Sequence, residues 1–428
     1  MLRPQMALRE SPYWWSVLTG DAAPDPPLPE RADVVVVGSG YTGLAAALHL
    51  AEGGASVLVL EKETLGFGAS SRNGGQVLTG LKVPPRTLLE RFGPEKARAL
   101  HGSSLLAIDS VEKIISDHQI DCGFQRCGHL EAAFKPSHFE RFKRDRDLLA
   151  STFHHVVELV PREHQRSEIG SDFYHGLLFD PGSGALQPAR YVHGLAAAAR
   201  RAGAILRERS PALEIHREGQ GFRVRTRGGF VKTRNVFVAT NGYTDLPPFR
   251  KRLIPVGSYI IATAPLPPEV ASSLIPHRRA VFDSKNFLYY FRLSDDNRLL
   301  FGGRAQWTPA TPRSTRSSMR ILQGGLVEVF PALAGTEVEW AWSGNVCFTR
   351  DLLPRAGCLD GVFYAMGYGG HGVAMATHLG LRMADLMLGR EDHNPFRDLP
   401  FEPIPFYDGR PWFLPFVGCY YKVRDWIQ

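Results

Sequence analysis

The stretch between residues 33 and 61 constrains the fold of this chain more tightly than any other. Asp33-Val34-Val35-Val36-Val37 is a short β-branched run of the kind that fills a buried parallel strand. It runs straight into Gly38-Ser39-Gly40-Tyr41-Thr42-Gly43, and then into Leu44–Glu52, small and apolar residues suited to a helix packed closely on a sheet. Gly53-Gly54 ends that helix, Ser56–Leu60 reads as a second strand, and Glu61 sits at its end. The three glycines have distinct mechanical roles. Gly38 permits the tight turn out of the strand, Gly40 lets the backbone approach a diphosphate, and Gly43 lets the helix sit against the first strand. The helix N-terminus offers unpaired N–H groups and a positive dipole end to the phosphates. Glu61, twenty-three residues after Gly38, is placed to accept hydrogen bonds from a ribose diol. Strand, glycines, helix, strand and acid in this order mark a dinucleotide site.

The next stretch separates two dinucleotides. A nicotinamide enzyme would go on to another helix and strand. Here Lys62–Gln76 is a Gly/Ser/Asn-rich loop, including Gly68-Ala69-Ser70-Ser71-Arg72-Asn73-Gly74-Gly75, able to wrap a ligand with backbone N–H groups. Near the other end, Val362–Met366 reads as a strand, followed by Gly367-Tyr368-Gly369-Gly370-His371-Gly372 and a helix from Val373 to Leu388. Taken literally this is a second glycine fingerprint. It ends, however, in the polar stop Gly389–Pro395 and not in a strand with a terminal acid. It therefore reads as a helix N-terminus aimed at a flavin ring, where its dipole favours negative charge on the reduced ring. With no second dinucleotide unit, NAD(P)H has no obvious place. FAD is the expected cofactor, reduced by an organic substrate and reoxidised by oxygen or another electron acceptor.

Composition excludes several other classes. The chain has 428 residues, enough for two intimately packed domains, with an ordinary 44% hydrophobic and 22% charged residues. Its net charge of +7 invites a nucleic-acid reading, but Lys and Arg are dispersed among Glu and Asp without a basic stripe, so no nucleic-acid partner is expected. No apolar run is long enough to cross a bilayer, and Met1–Trp15 lacks the apolar core of a secretory signal; a cytoplasmic location without a transmembrane segment is the expectation. Five scattered cysteines imply free thiols, and no Cys or His pairing has metal-site spacing, so no metal is expected.

The start described above, the Gly66–Gln76 loop and the late Gly367–Gly372 run resemble the glycine/D-amino acid oxidase (DAO) family of FAD enzymes, and within it the bacterial gamma-glutamylputrescine oxidoreductase-like branch. The resemblance is end to end. It includes the aromatic arm Ser11-Pro12-Tyr13-Trp14-Trp15, Leu288–Leu293, Leu299–Arg304, Trp342–Asn345 and the tail around Gly418–Tyr421. It implies an α/β protein in which a Rossmann-type FAD-binding domain (31–115, 185–250 and 340–390) interleaves with an antiparallel-sheet substrate domain (116–184 and 251–339). Arms at 1–30 and 391–428 flank them. The FAD site so implied takes in Gly38, Ser39, Gly40, Tyr41, Thr42, Gly43, Glu61 and Lys62, then Gly68, Ala69, Ser70, Arg72, Asn73, Gly74 and Gly75. Ala212, Thr240, Gly344, Gly367, Gly370, His371 and Gly372 complete it, with the cofactor held non-covalently. The implied reaction is oxidation of the C–N bond of a small amine, an acylated polyamine among the options, with oxygen giving hydrogen peroxide and an aldehyde. The alternative is an amino acid oxidase, or a dehydrogenase that passes electrons to a partner.

Such chemistry asks for positioning, water exclusion and flavin tuning more than for acid–base groups. His371, at a helix N-terminus beside the flavin, is the first catalytic candidate. Tyr259, Tyr290 and Arg292 are candidates for the substrate pocket, although an aromatic strand residue is more often core. Lys285 could orient a substrate or activate oxygen, and a solvated lysine is the plainer account. The resemblance also implies an arginine that clamps a substrate carboxylate, at a position occupied here by Val346. Its absence tilts the expectation from an amino acid to an amine; Arg292, Arg304 or Arg350 could replace it. Cys347 occupies the neighbourhood where some family members attach flavin covalently, and it can equally be a small buried apolar residue. The prolines of Pro411–Pro415 argue against a clean helix in the C-terminal arm, which is expected to dock on the protein's own surface.

Overall fold

The structure, a computed structural model, describes residues 8–18, 25–303, 311–390 and 393–427, with side chains as far as residue 420. Arg304 lies outside these residues. Two sheets organise the chain. The first has Arg31–Val37 at its heart, paired in parallel with Val57–Leu60 on one side and Gly229–Val238 on the other. Ile205–Arg207 and Val362–Met366 extend it in parallel on either flank. Val34–Val37 and Val57–Leu60 are buried along their whole length, which is why they read as uninterrupted apolar runs. The neighbours of Arg31–Val37 on its two sides, Val57–Leu60 and Gly229–Val238, are reached by connections that leave in opposite directions along the sheet. Its carboxyl end is therefore a topological switch point, the place where open α/β sheets bind ligands.

The second sheet has eight strands in the order Val338–Phe348, Ile254–Thr263, Leu299–Gly303, Tyr289–Leu293, Ala280–Asp283, His129–Ala132, Leu177–Asp180 and Glu158–Val160. All neighbours are antiparallel except Ala280–Asp283 with His129–Ala132. One face packs on the helix Pro312–Val329 through Phe291, Phe301, Leu322 and Leu326. The expected boundary at residue 340 needs correction. Val338–Phe348 pairs with Ile254–Thr263 over ten registers, so it belongs to this second sheet. The chain returns to the first sheet only at Arg355–Leu359.

Two helices lie against each other beneath the first sheet. Tyr41–Glu52 follows the glycine run, and Gly372–Met387 follows the late glycines. Their contact is backbone-close: a Cβ at Gly380 would stand 2.5 Å from the carbonyl oxygen of Thr42. The helices can approach only because Gly380 carries no side chain.

The arms also differ from expectation in part. Trp14 is buried with Ile260, Leu300 and Trp342, so the N-terminal arm is part of the core. A helix does form at Leu414–Ile427; Pro415 falls in its first turn, where a missing N–H costs nothing. Leu414 seats on Val256 and Phe348, while Trp412 and Phe416 are exposed.

Gly380→Val should wedge the two helices apart. The expected cost is about 3 kcal/mol of overpacking, read as a clear fall in melting temperature; an unchanged melt would mean that the helix contact yields without strain.

Candidate active site: a nucleotide cleft and an adjoining cavity

A cleft of about 480 Å³ opens at the carboxyl end of Arg31–Val37. Gly38, Ser39, Gly40, Tyr41 and Thr42 form its floor, and Glu61 and Lys62 one wall. Gly68, Ala69, Ser70 and Asn73 arch over it, and Ala212, Thr240, Gly370 and Gly372 close the far side. Gly38 has φ +104°, which only glycine adopts cheaply, and a Cβ at Gly40 would lie 2.8 Å from Ser70 Oγ. This cradle is lined by backbone that any side chain would fill. Ser70 Oγ accepts from the Tyr41 N–H at 3.0 Å, tying the loop to the helix start. The Glu61 carboxylate accepts from the Ser39 N–H and hydroxyl at 3.0 and 2.6 Å, and from the Glu63 N–H at 2.9 Å. It thereby fixes the glycine turn and still lines the cleft. Thr240 Oγ1 is buried there without a partner. A glycine cradle at a helix N-terminus, a carboxylate and an orphaned hydroxyl together fit a dinucleotide.

Three expected residues, Gly43, Gly75 and Gly367, serve from behind the cleft wall. Gly43 lets the helix Tyr41–Glu52 sit against the first strand and its turn, since a Cβ there would stand 2.0 Å from the Gly38 carbonyl oxygen. Gly75 has φ +73°, and its Cβ would meet the Leu186 carbonyl at 2.2 Å. The Gly367 N–H donates to Asn241 Oδ1 at 2.8 Å, holding the late turn in place. Lys62 reaches outward to Asp245 at 2.7 Å, half-exposed.

A second cavity, about 170 Å³, adjoins the cleft; Ala69, Asn73, Asn345, Val346, Gly369, Gly370 and Val373 line both. Its walls are largely apolar, with Leu78, Ile260, Phe282, Leu288 and Tyr290 facing Val346 and Val373. Arg72, Gly74, Gln76, Lys82, Ser258, Gly344 and His371 supply the rest.

His371 caps the helix Gly372–Met387 without a side-chain cap bond, and its Nδ1 is buried without a partner. Desolvation, with Lys82 and His129 adding repulsion, pushes its pKa down to about 3. The imidazole is neutral across the working pH range and able to accept a proton or a hydrogen bond. Tyr290 forms a wall, its hydroxyl 3.0 Å from Ser258 Oγ.

Two pocket candidates lie elsewhere. Tyr259 points to the opposite face of its strand, into the core beneath Pro312–Val329, and its hydroxyl donates to Ser314 Oγ at 2.9 Å. Ser258 and Ile260 face the cavity instead, as a period of two requires. Arg292 is buried behind the loop. Its guanidinium donates to the carbonyls of Leu186 and Gly75 at 2.8 and 3.0 Å and to that of Leu293 at 3.2 Å, leaving it no role in the cavity. Lys285 is neither in the cavity nor solvated: it is buried over the Tyr289 ring at 3.5 Å and paired with Asp283 at 3.2 Å. Arg350 is exposed in a turn. The Cys347 thiol lines the cleft, but burial pushes its pKa up, opposite to what a nucleophilic thiolate requires.

The residue reading missed the groups that shape the loop. Trp14 Nε1 donates to the Asn73 carbonyl at 2.8 Å, Trp15 Nε1 to Ser71 Oγ at 2.9 Å, and Trp342 Nε1 to the Arg72 carbonyl at 2.8 Å. Arg72 itself donates to the Phe67 and Ser343 carbonyls and lies between the rings of Trp15 and Phe67, 4.7 and 4.5 Å away. The cluster of Trp around 14–15 was the available signal. Lys82 was missed as well, and a lone lysine in a loop carries no signal.

The family model for FAD dependent oxidoreductases (DAO) matches residues 33–386. The chain belongs to that family. It is 36% identical over 402 residues to the gamma-glutamylputrescine oxidoreductase of Escherichia coli K12, covering 92% of each chain. It is 34% identical to a probable oxidoreductase, OrdL, of Haemophilus influenzae, covering 86% of each. Among solved structures, the glycine oxidase of Geobacillus kaustophilus superposes with a TM-score of 0.72 at 26% identity, over 88% of this chain and 99% of that one. The protein is thus an FAD-dependent oxidoreductase with the fold of these flavoproteins. No helix among the described residues is long and apolar enough to cross a membrane.

Two substitutions test this site. Gly40→Leu should fill the cradle and abolish FAD retention; purified protein with a full complement of yellow cofactor would refute the placement of the diphosphate. His371→Ala should slow flavin reduction by about 10- to 100-fold in anaerobic stopped flow. Because the His371 pKa is depressed to about 3, the wild-type reduction rate should show no inflexion from this residue between pH 5 and 9. A reduction rate untouched by His371→Ala would remove His371 from the chemistry.

Proposed function

We propose that this protein oxidises the C–N bond of a small primary or secondary amine, with an acylated polyamine as the substrate type, and uses oxygen as acceptor. The observation that carries this reading is the narrow, largely apolar cavity that adjoins the nucleotide cleft and presents a neutral imidazole. The gamma-glutamylputrescine oxidoreductase relative supports the substrate class. FAD, when bound, supplies a hydride acceptor. A neutral amine loses a hydride from its α-carbon and a proton from nitrogen, leaving an imine that water hydrolyses to an aldehyde and ammonia or a smaller amine. Oxygen takes up the two electrons and two protons and leaves as hydrogen peroxide.

The chain's own residues would do the positioning. Leu78, Ile260, Phe282 and Leu288 exclude water and hold an aliphatic chain. His371 Nδ1 or Nε2 accepts a hydrogen bond from the amine and keeps its nitrogen lone pair oriented. Tyr290 and Ser258, hydrogen-bonded together, would stiffen the wall facing it.

A second reading has its own support. Arg72 and Lys82 place cationic groups in the cavity lining, as an α-amino acid substrate would need, and glycine oxidase is a relative at 27% identity. Anaerobic titration of the yellow holoenzyme with a panel of amines and amino acids, followed by air, separates the two. Bleaching by an amine and recovery with peroxide formation is the expected result. Bleaching by α-amino acids alone would reject the amine reading, and slow recovery in air would make the protein a dehydrogenase.

A further inference from the structure

One amide side chain on the cavity wall has its donors fixed by the fold and its acceptor left over. Gln76 lines the cavity and is half-buried. Its Nε2 donates to the Val281 carbonyl at 3.1 Å and to the Phe291 carbonyl at 3.4 Å. Val281 and Phe291 face each other in register across a hairpin, one register from Phe282 and Tyr290, which line the cavity themselves. The orientation of the amide is forced, because a carbonyl oxygen in the place of Nε2 would face two other carbonyl oxygens. Both N–H groups are thereby used, and Oε1 takes no hydrogen bond from any described residue.

The backbone that carries this amide is held as firmly. Gln76 pairs with Ala185 in a two-stranded ribbon. Just before it, the Gly75 N–H donates to Asn73 Oδ1 at 2.8 Å and the Gly75 carbonyl accepts from the Leu186 N–H at 2.9 Å. Other polar groups of the wall are spent on the protein itself. Arg72 is bonded to the Phe67 and Ser343 carbonyls, the Asn73 amide to its own loop, and the Ser258 hydroxyl to that of Tyr290. Gln76 Oε1 and His371 Nδ1 are acceptors that no described residue uses. No Asp or Glu stands among the described lining residues. An acceptor fixed beforehand loses little side-chain freedom when it takes a ligand.

Resting on the amine reading above, we propose that Gln76 is a specificity residue of this cavity: its Oε1 accepts one N–H of the reacting nitrogen while His371 accepts the other, which selects primary amines over N-alkylated ones. A single acceptor leaves the amino group free to turn about its C–N bond. Two acceptors fix that rotation and leave the lone pair, which neither of them touches, aligned to expel the hydride. Loss of the hydride converts R–CH2–NH2 into R–CH=NH2+, so both N–H bonds become charge-assisted donors as the reaction proceeds. The two neutral acceptors therefore hold the nitrogen more tightly in the transition state than in the ground state. An N,N-dialkyl amine would set methyl groups against Oε1 and strand that acceptor away from water.

The test uses the holoenzyme and three probes with one alkyl chain: n-butylamine, N-methylbutylamine and N,N-dimethylbutylamine, compared at equal concentrations of the neutral amine. In anaerobic stopped flow the primary amine should reduce the wild-type flavin fastest. Gln76→Met removes the acceptor and keeps the length of the side chain. It should lower the second-order reduction rate constant for n-butylamine by about 10-fold and shrink the ratio of primary to tertiary amine by the same factor. Equal losses on all three amines would reduce Gln76 to support of the hairpin and overturn the proposal, as would a wild type that prefers the tertiary amine. A second readout needs no turnover, because tert-butylamine has no α-hydrogen. It should perturb the flavin absorbance of the wild type at concentrations where Gln76→Met shows no shift; equal shifts, or none in either protein, would overturn the proposal. If none of the three butylamines reduces the wild-type flavin, the amine reading fails, while tert-butylamine binding still decides for or against N–H recognition by Gln76.

Discussion

The contact between the helices Tyr41–Glu52 and Gly372–Met387 is the constraint on which the site depends. It joins positions more than three hundred residues apart, and it is backbone-close, Gly380 against the Thr42 carbonyl. Thr42 Oγ1 and Tyr368 Oη, 2.7 Å apart, lock the two glycine turns across the same seam. Once the helices are that close, the turn that cradles the diphosphate and the turn that presents His371 have one relative position. Packed interiors do not deform continuously, so the geometry at the cleft inherits the precision of the helix contact. A side chain at Gly380 would move both halves of the site at once.

A second set of contacts holds the loop between residues 67 and 75, which on composition alone would be mobile. Three indole N–H groups, from Trp14, Trp15 and Trp342, are spent on this loop, and Arg292 holds it from beneath through the Gly75 carbonyl. Burying an arginine is costly unless its donors are satisfied, and here Nε and Nη1 donate to backbone carbonyls. The arrangement explains why an arginine on a pocket-facing sheet takes no part in the pocket. Its task is to hold the loop that separates cleft from cavity.

The nucleotide half was legible in the sequence because its determinants are local. Strand, turn, helix and acid fall within about thirty residues, and each glycine has a role readable from chain geometry alone. The cavity was much less legible. Ile254–Thr263 is buried on both faces, so period two divides Ser258 and Ile260 from Tyr259 without saying which set meets the substrate. The fate of Arg292 depends on carbonyls at residues 75 and 186, and that of Lys285 on an aromatic cage drawn from three segments. The boundary near 340 failed for the same reason. Val338–Phe348 contributes Gly344–Val346 to the site, which suggested the nucleotide sheet, yet its hydrogen bonds go to Ile254–Thr263.

The electrostatics of the two chambers are complementary, and this bears on how an amine can be oxidised without a dedicated base. The cleft carries a carboxylate, Glu61, where it orders a glycine turn and can meet hydroxyls. The cavity carries cationic and neutral groups only, among its described residues. An ammonium entering such a chamber loses water and gains no counter-ion, so its proton is shed at lower pH than in solution. Desolvation has already stripped His371 of any tendency to charge, since a second cation beside Lys82 would be costly. The imidazole therefore stays available as an acceptor at the moment the nitrogen needs orienting. Deprotonation is thus a property of the chamber as a whole and needs no single strong base, which is consistent with a wall that contains no carboxylate.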